Sequence, residues 1–117
     1  MYFYKHLYVS GRIRNPEQAK RKLRRNAGQL LLYVVTLCGE EEGNQLAIMH
    51  SAFLQQPYYK KNPPLILGLA SGRWDAVELV RQIVQETYDH TGGADVRAYL
   101  FPHGVRIRRG SWKAAGA

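Results

Sequence analysis

The chain is poor in cysteine, in acidic residues and in long apolar runs. Cys38 is the only cysteine among 117 residues, which excludes an internal disulfide and any zinc site built from several thiolates. It closes a very apolar stretch and so reads as a buried, inert thiol. The longest unbroken apolar run, Leu30 to Val35, is far short of the roughly 20 residues a spanning helix requires. The N-terminal MYFYKH lacks both an apolar core and a small-residue cleavage site. No signal peptide and no membrane partner are therefore expected, and the reading places the protein in the cytoplasm.

Catalytic signatures are missing too. Ser71-Gly72-Arg73, between an apolar strand and a helix, has the outline of an anion cradle. It lacks the lysine and glycine spacing of a P-loop and the three glycines of a dinucleotide fold, so an ordinary strand-to-helix turn is the better reading. No serine sits in a nucleophile-elbow pattern. The titratable candidates are His6, His50, His90, His103, Glu78, Glu86, Asp89 and Asp95, and none shows metal-ligand spacing. His50, among apolar strand residues, reads as a hydrogen-bonded core histidine, and His90 as a helix-end residue near the dipole's negative pole. Neither a cofactor nor catalysis is expected. An enzyme would require His50 or His90 to meet Glu86 or Asp95 in a cleft.

What is present points to one α+β domain over residues 1–109, with 110–117 as a flexible tail. Tyr2 to Val9 reads as a strand. Asn15 as N-cap, Pro16 at the first helical position and Gln18 at capping-box spacing start a helix. Its apolar stripe is Ala19, Leu23 and Ala27, and Gly28 ends it. Gln29–Cys38 is apolar on both alternating faces and predicts a central strand. It is joined by an acidic turn at 39–44 to a second strand, Gln45–Leu54, in a hairpin.

Gln55–Pro64 holds three of the five prolines and predicts irregular chain. Leu65–Ala70 is a short buried strand. From Arg73 to His90 the positions Ala76, Val77, Val80, Ile83, Val84 and Tyr88 form a helical stripe, with Trp74 expected to cap the core. Asp95–Phe101 alternates as a strand, and Val105–Arg109 predicts a last basic one. The expected plan is β-α-β-β-β-α-β(-β): a mostly antiparallel sheet of five or six strands with two helices on one face.

Charge is the informative property. The chain carries 17 Lys+Arg against 9 Asp+Glu, a net +8, and such a field favours anionic partners. Lys20, Arg21, Lys22, Arg24 and Arg25 fill most of the first helix outside its narrow apolar stripe, and Arg12 and Arg14 stand just before it. Five like charges in six positions repel one another, and Glu17 to Arg21 is the one good i,i+4 pair on offer. A solvated helix face is the plain alternative.

Tyr58, Tyr59, Lys60 and Lys61 form a second candidate, aromatics beside lysines that suit base stacking or a protein anchor. Tyr2, Tyr4 and Tyr8 could offer stacking platforms, yet the glycine-aromatic motif of sheet-based RNA binders is absent, and half-buried packing is the better reading. Arg106, Arg108, Arg109 and Lys113 are a third basic cluster. Two functions remain: a nucleic-acid-binding accessory protein that contacts phosphates, or an interaction module that binds an acidic partner or associates with itself through a sheet edge.

Overall fold

Two segments, Leu65–Ser71 and Leu32–Leu37, are apolar at nearly every position, and only a strand covered on both faces can use such a pattern. They are the two central strands. The computed structural model describes residues 2–25, 31–37 and 46–102, together with the backbone of 105–108 and 111–114. The chain is α+β, with strands β1 (Tyr2–Val9), β2 (Leu32–Leu37), β3 (Leu46–His50) and β4 (Leu65–Ser71) in one sheet of order β1-β4-β2-β3. β2 and β3 form the expected antiparallel hairpin, with Val34 opposite Met49, and β2 also runs antiparallel to β4.

The expectation of a five- or six-stranded, mostly antiparallel sheet is corrected on three counts. β1 pairs with β4 in parallel, which makes the four-stranded sheet mixed. Asp95–Phe101 is no strand: the Asp95 carboxylate accepts the Ala98 N–H at 3.1 Å and caps helix α4 (Val96–Leu100). Val96 and Leu100, one helical turn apart, are its buried residues, a spacing that also fits strand alternation. The last basic strand, β5 (Val105–Arg108), pairs with β6 (Ser111–Ala114) in a separate two-stranded sheet.

The helices, expected on one face, lie on both. Helix α1 (Pro16–Arg24), a 3-10 turn over Ser51–Gln55 and the short helix α2 (Pro57–Lys61) cover one side. Ala19, Leu23, Leu54 and Tyr59 pack there against Leu32, Val34, Ile66 and Leu69. Helix α3 (Arg73–Thr91) and α4 cover the other, where Ala76, Leu79, Ile83, Val96 and Leu100 meet Val35, Leu37, Leu65 and Leu67. The proline-rich 55–64 segment is thus partly helical, because Pro57 takes the first turn of α2, where its missing N–H costs nothing.

Gly68 permits the sheet's close pairing. A Cβ there would lie 3.2 Å from the Tyr8 carbonyl oxygen and 3.1 Å from Leu79 Cδ1. The registers of β4 against both neighbours shift at this point. At the far end of α3, Gly92 closes the helix in the left-handed region at φ 76°. The stripe expected on α3 holds in part: Ala76, Val80 and Ile83 meet the core together with Leu79 and Thr87, whereas Val77, Val84 and Tyr88 are exposed, and so is Trp74. Trp74 caps no core. The Gly28 helix end, Cys38 and the 39–44 turn lie outside the described residues.

Candidate nucleic-acid interface

Helix α1 begins as its sequence requires. Asn15 Oδ1 accepts the Gln18 N–H at 3.0 Å, and Pro16 opens the first turn. Ala19 and Leu23 face inward, so the cations are left to the outer arc. Arg21, Arg24 and Arg25 are exposed, and Lys20 and Lys22 are half-buried.

These cations are not equivalent. Glu17 pairs with Lys20 at 3.0 Å, rather than with Arg21 as the spacing suggests. This hydrogen bond, followed by the charge of the same lysine, holds the Glu17 carboxyl below its usual range. Lys20 and Arg24 also lie over the Phe3 ring of β1, at 5.5 and 5.0 Å from its centroid. Arg25 forms the helix C-cap, its N–H donating to the Arg21 carbonyl at 3.1 Å. Basic runs in the sequence do not point to Phe3; its signal is an aromatic on the adjoining edge strand.

Two open clefts border this helix. One, of about 500 Å³, is lined by Arg12, Arg14, Asn15, Gln18, Lys22, Leu31 and Ser71 among others. A second, of about 450 Å³, is lined by Gln18, Arg21, Arg24 and Arg25. Gln18 borders both, so the two form one basic tract. The larger cleft lies at the carboxyl ends of the parallel pair: Ser10 follows β1, Ser71 closes β4, and the Ser71 N–H donates to Ser10 Oγ at 3.2 Å. Carboxyl ends of parallel strands are where open α/β sheets leave room for ligands. Arg12 marks the tract's limit, since its Nε lies 3.7 Å from Asp75 Oδ2 at the start of α3.

The Tyr58–Lys61 segment shares this face. Tyr59 packs into the core cluster that holds Ala19 and Leu23, and Tyr58 stands out from it, 64 % exposed. Their rings meet edge-on at 5.0 Å. Lys60 and Lys61 are exposed. The charge therefore segregates. Among the described residues, Arg14, Lys20, Arg21, Lys22, Arg24, Arg25, Lys60 and Lys61 share the α1–α2 side with a single carboxylate, Glu17, and Arg12 stands at its border beside Asp75. The α3–α4 side carries Asp75, Glu78, Glu86, Asp89 and Asp95 against Arg73, Arg81 and Arg97. The side chains of Arg106, Arg108, Arg109 and Lys113 lie outside the described residues.

Of the three β1 tyrosines expected to be half-buried, Tyr2 is exposed instead, and the other two are engaged on the opposite face. Tyr4 and Tyr8 stack at 6.4 Å and are half-buried beneath α3 and α4. The Tyr8 and Tyr99 hydroxyls donate to the two oxygens of Glu86 at 2.9 and 3.0 Å. His90 Nδ1 donates to the Glu86 main-chain carbonyl at 2.8 Å and lies 3.4 Å from the Tyr99 hydroxyl. Glu86 and His90 are thus neighbours, but the carboxylate is committed to two phenols. Such a network clamps three elements together. His50 is half-buried, its Nδ1 accepting the Ala52 N–H at 3.0 Å to start the 3-10 turn.

Among the described residues, no group of three or more His, Cys, Asp or Glu side chains is placed to hold a metal. No described helix is long and apolar enough to cross a membrane. Compared with protein-family models, curated proteins and solved structures, the chain matches none of them.

Proposed function

We propose that this protein is a non-catalytic, nucleic-acid-binding accessory domain that grips the phosphate backbone with its α1–α2 face. The observation that supports the reading is the charge segregation among the described residues: eight cations share one side of the sheet with Glu17, and a ninth, Arg12, borders it in contact with Asp75. A merely solvated surface intersperses both signs, as α3 does with Arg81 and Glu78 at 3.0 Å. In this reading Arg21, Arg24 and Arg25 contact one run of phosphates. Arg12, Arg14 and Lys22 take the neighbouring one in the larger cleft, and Tyr58 with Lys60 and Lys61 extends the contact. Phosphate contacts position a chain without reading its bases, so little sequence preference is expected. A cytoplasmic location, where nucleic acid is plentiful, belongs to the same proposal.

The test is binding of nuclease-treated protein to labelled DNA and RNA oligonucleotides over a salt series. Binding should fall steeply with salt, and replacing Arg21, Arg24 and Arg25 together by Gln should abolish it with the fold intact. An absence of binding at about 50 mM salt overturns the proposal. A second reading, docking of an acidic protein, is favoured by Phe53 and Tyr58, which are 51 % and 64 % exposed and suit interface anchors. It gains if a protein co-purifies and survives nuclease.

A further inference from the structure

We infer that the larger cleft beside α1 is a pocket for one nucleotide unit: a phosphate joined to a flat ring system, as in a free nucleoside monophosphate or the phosphorylated end of a strand. The inference rests on the phosphate-binding reading of this face and names what the cleft takes. Its place follows from the path of the chain. β1 and β4 lie side by side and parallel, so their carboxyl ends open on the same edge of the sheet. From that edge the chain leaves β1 for α1 on one face, and leaves β4 for α3 on the other. Neighbouring parallel strands whose connections part to opposite faces leave a crevice between them, and open α/β sheets bind ligands there.

Charge chooses the side of that edge. On the α3 side, a cleft of about 370 Å³ is lined by Asp75 and Glu78 as well as by Arg12 and Arg81, and offers an anion no net attraction. On the α1 side, the cleft of about 500 Å³ has Arg12, Arg14 and Lys22 and no carboxylate among its described lining. That volume is within the range of small-ligand sites. Arg12 leans to Asp75 at 3.7 Å, so Arg14 and Lys22 are the cleft's own cations. Gln18 and Lys22 line it from consecutive turns of α1. Among the described residues, no hydrogen bond or ion pair engages the side chains of Arg14, Gln18 or Lys22.

A bare phosphate would need only those donors. The same lining includes Ile13 and Leu31, and Leu31 is 64 % exposed, a large apolar side chain at the surface beside three uncommitted donors. Apolar lining with a few convergent polar groups is the make-up of a small-ligand site. Here the donors suit a phosphate and the apolar residues suit the ring attached to it. The second cleft, lined by Gln18, Arg21, Arg24 and Arg25, has no such apolar residue among its described lining and suits phosphates alone.

Calorimetric titration of the nuclease-treated full chain tests this with adenosine 5′-monophosphate, inorganic phosphate and adenosine, and with oligonucleotides carrying or lacking a 5′-phosphate. The monophosphate should bind about tenfold or more tighter than phosphate or adenosine alone. Arg14→Gln and Lys22→Gln should each weaken it about tenfold, the loss expected for one charge-assisted hydrogen bond. Leu31→Ser should weaken the monophosphate several-fold and leave inorganic phosphate unchanged. Arg21→Gln and Arg25→Gln, which line only the second cleft, should leave it bound as before. A several-fold gain from the 5′-phosphate on an oligonucleotide assigns the pocket to strand ends, and a response confined to the monophosphate assigns it to free nucleotide. Oligonucleotides that bind without regard to the 5′-phosphate, while the monophosphate does not bind, overturn the pocket and leave the proposed function standing. Monophosphate binding indifferent to Arg14, Lys22 and Leu31 also overturns it. No binding of any probe at about 50 mM salt overturns both.

Discussion

Tyr8 and Glu86, 78 positions apart in the chain, meet directly: the tyrosine hydroxyl donates to Glu86 Oε2 at 2.9 Å. The other oxygen accepts from Tyr99, so one side chain of α3 ties down both β1 and α4. Hydrogen bonds to a charged acceptor contribute more than neutral ones. Tyr8→Phe, which removes a single hydroxyl, should therefore cost about 1–2 kcal/mol in urea unfolding. Tyr99→Phe should cost less, because its ring is closer to solvent. Equal midpoints for Tyr8→Phe and the parent chain would show that the clamp contributes nothing.

The same cluster sets a response to alkali. Burial first, and then the hydrogen bond to Glu86, raise the Tyr8 hydroxyl above its ordinary value. Tyr99 is raised by the same two causes in the same order, and Tyr4 by burial and then the Glu86 charge. The folded chain thus keeps these protons where the unfolded chain, titrating near pH 10, has lost them. Their contribution is complete below about pH 10 and is lost as pH rises beyond it, since the native state then binds more protons than the unfolded one. Denaturation midpoints should stay level up to about pH 9 and fall above 10. The parent chain and Tyr8→Phe should converge there, and persistent separation at high pH would refute the assignment.

Legibility followed the range of the forces involved. β1 and the start of α1 were readable because their causes are local: an aromatic run broken by Ser10-Gly11, and Asn15 followed by Pro16. The hairpin of β2 with β3 was readable from two apolar runs and a turn. The parallel seat of β1 against β4 was not, because it depends on contacts between Tyr8 and Gly68, far apart in the chain. Asp95–Phe101 misled because Val96 and Leu100, four apart, satisfy both periods, and only the Asp95 cap separates them. The basic run of α1 was plain in the sequence. What was hidden is that the Phe3 ring, on a strand packed beside the helix, holds Lys20 and Arg24, the latter also lining a cleft.

Gly68 gives a sharp test of the central pairing. Alanine there must push apart the Tyr8 carbonyl at 3.2 Å and Leu79 Cδ1 at 3.1 Å. Leu79 can rotate, but the backbone oxygen belongs to a paired strand and cannot yield alone. Gly68→Ala should lose about 1–3 kcal/mol, the usual cost of overpacking a well-filled site. Gly11→Ala is the control, with nothing within 4 Å of its Cβ, and should stay within about 0.5 kcal/mol of the parent. Comparable thermal midpoints for the two variants would mean that β1 and β4 do not approach closely at Gly68.

The cations of α1 should differ by experiment, with Arg24 serving both the fold and the proposed interface. Lys20 and Arg24 lie over Phe3, and their charges help fasten the helix to the edge strand. Lys20→Gln and Arg24→Gln should each lower stability by about 0.5–1 kcal/mol, the usual range for an exposed cation over a ring. Arg21→Gln and Arg25→Gln remove no such contact and should leave stability within about 0.5 kcal/mol. If the proposed interface is right, each of the latter two, and Arg24→Gln with them, should reduce the slope of log affinity against log salt by about 1. Phe3→Leu makes the distinction firm, because it removes the ring and keeps every charge. It should lower the unfolding midpoint and leave the salt slope unaltered. A changed slope in Phe3→Leu would mean that the ring, by aiming Lys20 and Arg24, belongs to the interface as well as to the fold.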